Sequence, residues 1–277
     1  MKIIVPIKQV PESSNVKMDP ETGTIVRSGS EAVVNPLDLY AIEAALLFRD
    51  KTGGSVHVIS MGPPRAEIAL REAIAMGCDG GFLVSDRKFG GSDTWATSYI
   101  LSQAIKAAGE FDLIITGERA TDGDTAQVGP GIAAWLDLSL ATYVSSIRAP
   151  GIAASGTAPP IEASPGQTIS VERLMEDGYQ QLTLVLPALL TVVKEIAEPR
   201  LPTLDGKKRA MTAEIPLLNS ENMELEPSFL GLKGSPTKVV KIRTPQVTRG
   251  GRIIEVDGDP AAAVSELIEF LKVRELV

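Results

Sequence analysis

"FDLIITGERATDGDTAQVGPGIAAWL", residues 111–136, holds a strand, a polar loop and a helix in one run. The apolar, β-branched "LIIT" reads as a buried strand, and "GIAAWL" as the apolar start of a helix. Between them Glu118 to Pro130 concentrates carboxylates, glycines, two threonines and a glutamine. In an open parallel sheet, ligands bind outside the carboxyl ends of the strands, where N–H groups opening a helix favour an anion. Gly123 permits close backbone approach or positive φ. Thr125 and Gln127 offer hydrogen bonds, while Asp122 and Asp124 suit ribose hydroxyls, backbone N–H groups or a helix cap better than phosphate. The stretch therefore predicts a nucleotide seat, with a purely structural capping loop as the alternative.

Outward from this stretch the same strand-then-helix grammar repeats. "KIIVPIKQV" (2–10) reads as the first strand, followed by a helix from Pro36 with Asn35 as N-cap and Asp38 in its first turn, ended by Gly53 and Gly54. "SVHVISMG" (55–62) is a second strand and "RAEIALREAIAMG" its helix; "GGFLVSD" and "FDLIITGE" are further strands around the helix "TWATSYILSQAIKAAG". This alternation predicts an α/β fold, a doubly wound, mostly parallel sheet. Three rim segments converge with the polar loop: "VPIKQVP", Asn35 and "SMGPP". The candidate cofactor contacts are accordingly Pro6, Lys8, Asn35, Met61, Gly62, Asp122, Gly123, Asp124, Thr125, Ala126, Gln127 and Val128. The long excursion before Asn35 centres on "DPETGTIVR", which reads as a hairpin. "FGGSDTW" (89–95) has a superficial likeness to the pyrophosphate-wrapping SGGxDS loop of ATP pyrophosphatases, but follows the third strand and begins with Phe89. Ser92 or Asp93 as an N-cap accounts for it.

Beyond residue 148 the texture changes. "APGIAASGTAPPIEASPGQ" reads as a flexible loop, and "TISVERLM", "EDGY" and "QQLTLVLPALLTVV" as a strand, a turn and a buried strand. The sequence places an α/β nucleotide-binding domain at 1–197. Residues 198–277 read as an extended arm with a last helix from Pro260 to about Arg274. Phe229, Leu230, Leu232, Leu267, Phe270 and Leu271 of that arm are expected to dock partly on another chain, the alternative being that it folds back on its own domain.

Charge and composition narrow the functions. With 35 acidic against 27 basic residues the net charge is −8, which disfavours nucleic acid and anionic membranes as partners. The apolar run Leu182 to Val193 is broken by Pro187 and falls short of the roughly 18–20 residues of a membrane span. With no signal-peptide pattern at the amino end, the expected location is cytoplasmic. Single Cys78 and single His57 exclude an internal disulfide and the usual His-rich metal clusters. No G-x-S-x-G elbow, P-loop or G-x-G-x-x-G fingerprint occurs, so catalytic and metal-ligating residues are expected to be absent, and any redox chemistry belongs to a cofactor.

Taken together, "VPIKQVP", "NPLDLYAIEAAL", "SMGPP", "REAIAMGCD", "DLIITGERATDGDTAQVGP", "LPALLTVVKEIAEPR" and "LGLKGSPTKV" resemble, in order and spacing, the β subunits of electron-transfer flavoproteins. The resemblance implies an adenine-nucleotide α-hydrolase-like fold, an α subunit carrying a mobile flavin domain, and a C-terminal arm wrapped on that partner. It implies that the loop around Asp122 encloses AMP in ordinary members and a second FAD in electron-bifurcating ones. Gly123, Thr125, Ala126 and Val128 depart from the ordinary pattern and look like the bifurcating branch, whereas "NPLDLYAIE" is nearer the ordinary type. The implied reaction has NADH delivering hydride to the flavin of this subunit. One electron then passes to the α-subunit flavin and the other to ferredoxin or flavodoxin. The segment Thr191–Arg200 would recognise an acyl-CoA dehydrogenase-type flavin dehydrogenase, with Ile196 as apolar anchor beside Glu198 and Arg200, or else be a solvated connector. Residues 150–166 look like an insertion without an assigned role. A reading from another class is a stand-alone ATP- or AMP-binding sensor or ligase domain.

Overall fold

The computed structural model describes residues 1–12, 32–148, 167–240 and 260–277. The hairpin expected at "DPETGTIVR" and the stretch 150–166 lie outside them. The chain divides into two compact units, Met1–Val240 and Lys241–Val277.

The first unit runs β1 (Lys2–Pro6), β2 (Gln9–Pro11), β3 (Ala32–Val34), α1 (Pro36–Thr52), β4 (Ser55–Met61), α2 (Glu67–Met76), β5 (Gly80–Val84), α3 (Thr94–Ala107) and β6 (Leu113–Gly117). It continues with α4 (Val128–Leu136), β7 (Ser139–Arg148), β8 (Thr168–Met175), β9 (Gly178–Val185), β10 (Ala188–Val192), α5 (Leu204–Thr212), β11 (Leu217–Leu218) and α6 (Gly231–Gly234). In the second unit the described residues form α7 (Pro260–Val273). No helix among the described residues is long and apolar enough to cross a membrane.

Among the described residues the main sheet has the order β11-β5-β4-β1-β6-β10-β7-β8-β9. It is parallel from β11 to β7, and β8 and β9 extend it antiparallel. The mixed α/β architecture with a mostly parallel sheet is the one the sequence predicts. Each central strand is apolar on both sides because helices cover both faces. Ile3 and Val5 pack with α1 and α2, while Ile4 between them packs with α3 and α4, and all three are fully buried. Burying a side chain of that size contributes about 1.5–3 kcal/mol. The chain leaves β1 toward β4 on one side and reaches β6 on the other, so the switch point lies between β1 and β6.

Two sequence expectations change in the structure, and one strand is not read from the sequence at all. The first strand is divided, because the Lys8 N–H leaves the ladder for the Asp38 carboxylate at 2.7 Å, after which β2 pairs antiparallel with β3. The expected buried strand in "QQLTLVLPALLTVV" is two strands: β9 ends before Leu186–Pro187, and β10 enters the parallel centre. The strand β7 carried no clean alternation to mark it, since its burial is irregular and its ladder shifts register between Val144 and Ser146.

The first unit also extends well past residue 197. Helix α5 lies on α2, and β11 adds to β5 as an edge strand. Phe229 and Leu230, expected to dock on another chain, pack within their own instead. The Phe229 ring lies 5.1 Å from Tyr99 and 5.5 Å from Trp135, and Leu230 is buried beside them. Leu232 remains on the surface. The carboxyl-terminal part folds back here because α3 and α4 present an aromatic face that these two side chains cover.

Candidate functional site

A cavity of about 360 Å³ opens at the carboxyl ends of β1, β4 and β6. Pro6, Ile7 and Lys8 form one wall, Met61 stands at the end of β4, and Thr116 and Gly117 end β6. The loop and first turn of α4 supply the opposite wall through Gly123, Thr125, Ala126, Gln127, Val128 and Gly129. Eight of the predicted contacts therefore line one space: Pro6, Lys8, Met61, Gly123, Thr125, Ala126, Gln127 and Val128.

The other four stand behind or beside it. Asn35 is fully buried; its side-chain amide donates to the Arg119 carbonyl at 2.9 Å, and its Oδ1 accepts from the Thr121 N–H at 3.1 Å. The residue sits at the N-cap of α1 without a side-chain cap bond. Its amide instead pins the base of the loop, which a helix-capping pattern in the sequence does not reveal. Asp122 pairs with Lys8 Nζ at 2.7 Å, and Asp124 with Arg119 at 3.1 Å. Gly62 donates its N–H to the Val84 carbonyl at 3.0 Å, holding the end of β4 to β5.

Two helix amino termini meet this space, and they differ. Asp93 caps α3, accepting from Ala96 N–H at 3.1 Å and from Thr237 N–H and Oγ1 at 2.9 and 2.8 Å. The N-cap of α4, Gln127, makes no side-chain cap bond; its Oε1 accepts from Thr94 Oγ1 at 2.8 Å. The first N–H groups of a helix lack intrahelical partners, so those of Val128 and Gly129 are available to an anion, while Pro130 has none to offer. Ala126 just before them has φ 54°, and successive N–H groups through such a left-handed step form a concave anion seat. Thr116 Oγ1, buried at the same end, has no hydrogen-bond partner among the described residues.

The backbone conformation corrects the expectation for Gly123. Positive φ falls on Asp124 (51°) and Ala126 (54°), not on the glycine. A Cβ on Gly123 would meet no protein atom within 4 Å, so its smallness leaves room rather than relieving backbone strain. Aspartate tolerates the left-handed region, but alanine pays roughly 1–2 kcal/mol there, and nothing in the sequence marks Ala126 for it.

Sequence reasoning missed the floor and one wall. Asp38, read as a helix-dipole residue, lines the cavity, and burial pushes its carboxyl up to about 7 against the lowering effects of Asn35, the Lys8 N–H and the Lys8 charge. Ser92, Asp93 and Thr94 of "FGGSDTW" also line the cavity, with Asp93 serving as the expected cap. Their signal was the loop's place after a parallel strand, which puts it on the same rim regardless of strand number.

The Asp38 shift makes a pH prediction. A carboxyl whose pKa is near 7 folded and near 3.8 unfolded takes up a proton on folding between those values, so its contribution to stability is fullest below about pH 4 and is lost as pH rises toward 7. Asp38→Asn should remove that loss, and its urea midpoint relative to the parent should rise between pH 5 and pH 8. Parallel pH profiles for the two proteins would show that Asp38 ionises normally.

The segment Thr191–Arg200 is less exposed than a docking loop suggests. Thr191, Val192 and Val193 are buried, and Ile196 is half-buried against the core cluster of α1. Glu198 faces solvent. Arg200 donates through Nε and Nη2 to both carboxylate oxygens of buried Glu43 at 2.8–3.1 Å, and through Nη2 to Asp50 at 3.0 Å. Its own N–H also donates to Glu43, at 3.0 Å, so this residue fastens the segment to α1.

The family described as the electron transfer flavoprotein domain matches residues 22–221. The electron transfer flavoprotein subunit beta of Thermoanaerobacterium thermosaccharolyticum is 44% identical over 278 residues, covering 100% of both chains. That of Megasphaera elsdenii is 40% identical over 285 residues, again across 100% of both. The caffeyl-CoA reductase-Etf complex subunit CarD of Acetobacterium woodii is 44% identical over 255 residues, 92% of each chain. With a mostly parallel sheet, a rim cavity at its switch point and full-length matches of this kind, the chain belongs to the electron transfer flavoprotein family, among its β subunits.

Proposed function

We propose that the cavity seats the adenylate end of a bound FAD, and that the chain works in the cytoplasm as half of a heterodimer with an electron transfer flavoprotein α subunit. In this reading the pair takes electrons from NADH and divides them between ferredoxin or flavodoxin and a flavin dehydrogenase, by flavin-based electron bifurcation. The observation that carries the nucleotide reading is the uncapped start of α4, with the buried, unpartnered Thr116 Oγ1 beside it. Those donors suit a phosphate, while Asp38 and Glu118 in the lining suit ribose hydroxyls or an exocyclic amine.

FAD, when bound, supplies the redox chemistry; the chain's own residues bind and orient it. A catalytic side chain is not required. The name of the Acetobacterium relative, a subunit of a caffeyl-CoA reductase-Etf complex, supports a reductase or dehydrogenase partner. The partner would meet the chain near Ile196 and Glu198, with Arg200 holding that segment in place.

A second reading, a structural AMP, draws on size. At about 360 Å³ the cavity lies near the low end of the roughly 300–1,000 Å³ typical of ligand pockets and matches one nucleotide. A dinucleotide must project its flavin beyond this wall, as electron exchange across an interface also demands.

Counting nucleotides released from the denatured heterodimer separates the two. Two FAD per pair supports the proposal, and one FAD with one AMP replaces it by the second reading. The variant Gly123→Val adds atoms only to open space in the protein itself, so its thermal stability without nucleotide should match the parent while nucleotide content falls. Full nucleotide content in that variant would remove the loop from the binding site.

A further inference from the structure

The loop from Arg119 to Gln127 is fastened at its base and its tip with different strength, and it ends at Gln127, whose Oε1 accepts from Thr94 Oγ1 at 2.8 Å. At its base, the fully buried Asn35 amide holds the Arg119 carbonyl and the Thr121 N–H. At its tip, Asp122 meets Lys8 Nζ at 2.7 Å, and these side chains are 35% and 47% exposed. Lys8 belongs to the β1 wall of the cavity and Asp122 to the loop that forms the opposite wall, so this ion pair bridges the rim from one wall to the other. Between tip and helix stand Asp124 and Ala126, both with positive φ. A segment holding non-glycine residues in that region keeps its shape only while its surroundings enforce it.

We propose that the Lys8–Asp122 pair is a rim latch that sets how fast an adenine nucleotide leaves the cavity. With the pair closed, the loop is held at its base, its tip and Gln127; with it open, the strained stretch from Asp122 to Ala126 relaxes outward between the Asn35 anchor and Gln127, and the exit widens. Asp122 does not line the cavity, so it acts on the ligand through the loop and not by touching it. Lys8, spent on Asp122, is a poor phosphate clamp in the closed state. An ion pair this exposed is screened by salt, which makes the release rate dependent on ionic strength. The proposal rests on the reading that the cavity holds an adenine nucleotide, and its test distinguishes the two failures.

The heterodimer, loaded with FAD in one arm and AMP in another, is diluted into buffer, and retained nucleotide is followed over time by rapid filtration and chromatography. Release from Asp122→Asn is expected to be about two- to fivefold faster than from the parent, the range an exposed ion pair commands. Lys8→Met and the double variant should show the same acceleration as Asp122→Asn, not its square, because either change alone opens the latch. Raising the salt concentration should speed release from the parent and leave the double variant, which carries neither charge of the pair, unchanged. Equal release from parent and Asp122→Asn, additive effects in the double variant, or the same salt response in the parent and the double variant would overturn the latch while leaving the nucleotide site intact. Failure of the parent to retain either nucleotide would overturn the site reading and the latch with it.

Discussion

Replacing Arg200 by methionine is expected to destabilise the protein by about 3 kcal/mol, the lower end of the cost of stranding one partner of a buried ion pair. Methionine keeps much of the side-chain stem and removes the charge and its hydrogen bonds. Glu43 is 4% exposed and receives four hydrogen bonds from Arg200, so its carboxylate would be left buried with its main partner gone. The cost stays at the lower end because the Arg200 side chain is 32% exposed and water can reach part of the gap. Melting should fall by roughly 6–12 °C at the 2–4 °C per kcal/mol usual for chains of this size. The double variant Glu43→Leu with Arg200→Met should recover most of that loss, since an apolar pair of similar volume carries no desolvation cost. A single Arg200→Met variant that melts with the parent would mean that the pair does not hold the segment to α1.

Gly117→Val is expected to cost at least the upper part of the roughly 1–3 kcal/mol of an overpacked core, and to empty the cavity as well. A Cβ on Gly117 would lie 2.5 Å from Asp38 Oδ1 and 2.8 Å from the Leu37 carbonyl oxygen. One of these is backbone in the first turn of α1, and that turn is fixed by the Lys8 N–H on Asp38 and by the Asn35 amide on the loop. Relief therefore requires moving the start of α1 away from β6, which disturbs the cavity floor and the loop anchor together. Gly123→Val, by contrast, meets no protein atom. Urea denaturation and nucleotide content should then separate the two glycines: Gly117→Val loses both stability and nucleotide, Gly123→Val nucleotide alone. A Gly117→Val protein with parental stability would show that α1 yields at no cost.

The fold was legible wherever one local signal sufficed. Period and punctuation marked β4, β5, β6 and the helices between them, and the Asp93 cap and the last helix from Pro260 stand where the residues place them. Legibility failed where a backbone group found its partner far along the chain. Lys8 leaves the strand because Asp38, thirty residues on, accepts its N–H. Asn35 has the residue type and position of a cap, yet its amide serves Arg119 and Thr121. Phe229 and Leu230 look like free apolar residues in a Pro- and charge-rich arm until Tyr99 and Trp135 are brought beneath them.

By itself, the sequence determined that this is a doubly wound α/β chain, that its family resemblance is to electron-transfer flavoprotein β subunits, and that the rim after β6 is the place to look for a ligand. Periodicity, turn chemistry and the polarity of one loop are local properties, and a reader of the chain has them in full. Only the tertiary structure decided that Asp38 forms the cavity floor with its proton held to about pH 7, that Arg200 is a tether, and that left-handed backbone falls on Asp124 and Ala126 and not on Gly123. Burial, ion pairing and imposed φ depend on which distant groups share a space, and no stretch of chain carries that information alone.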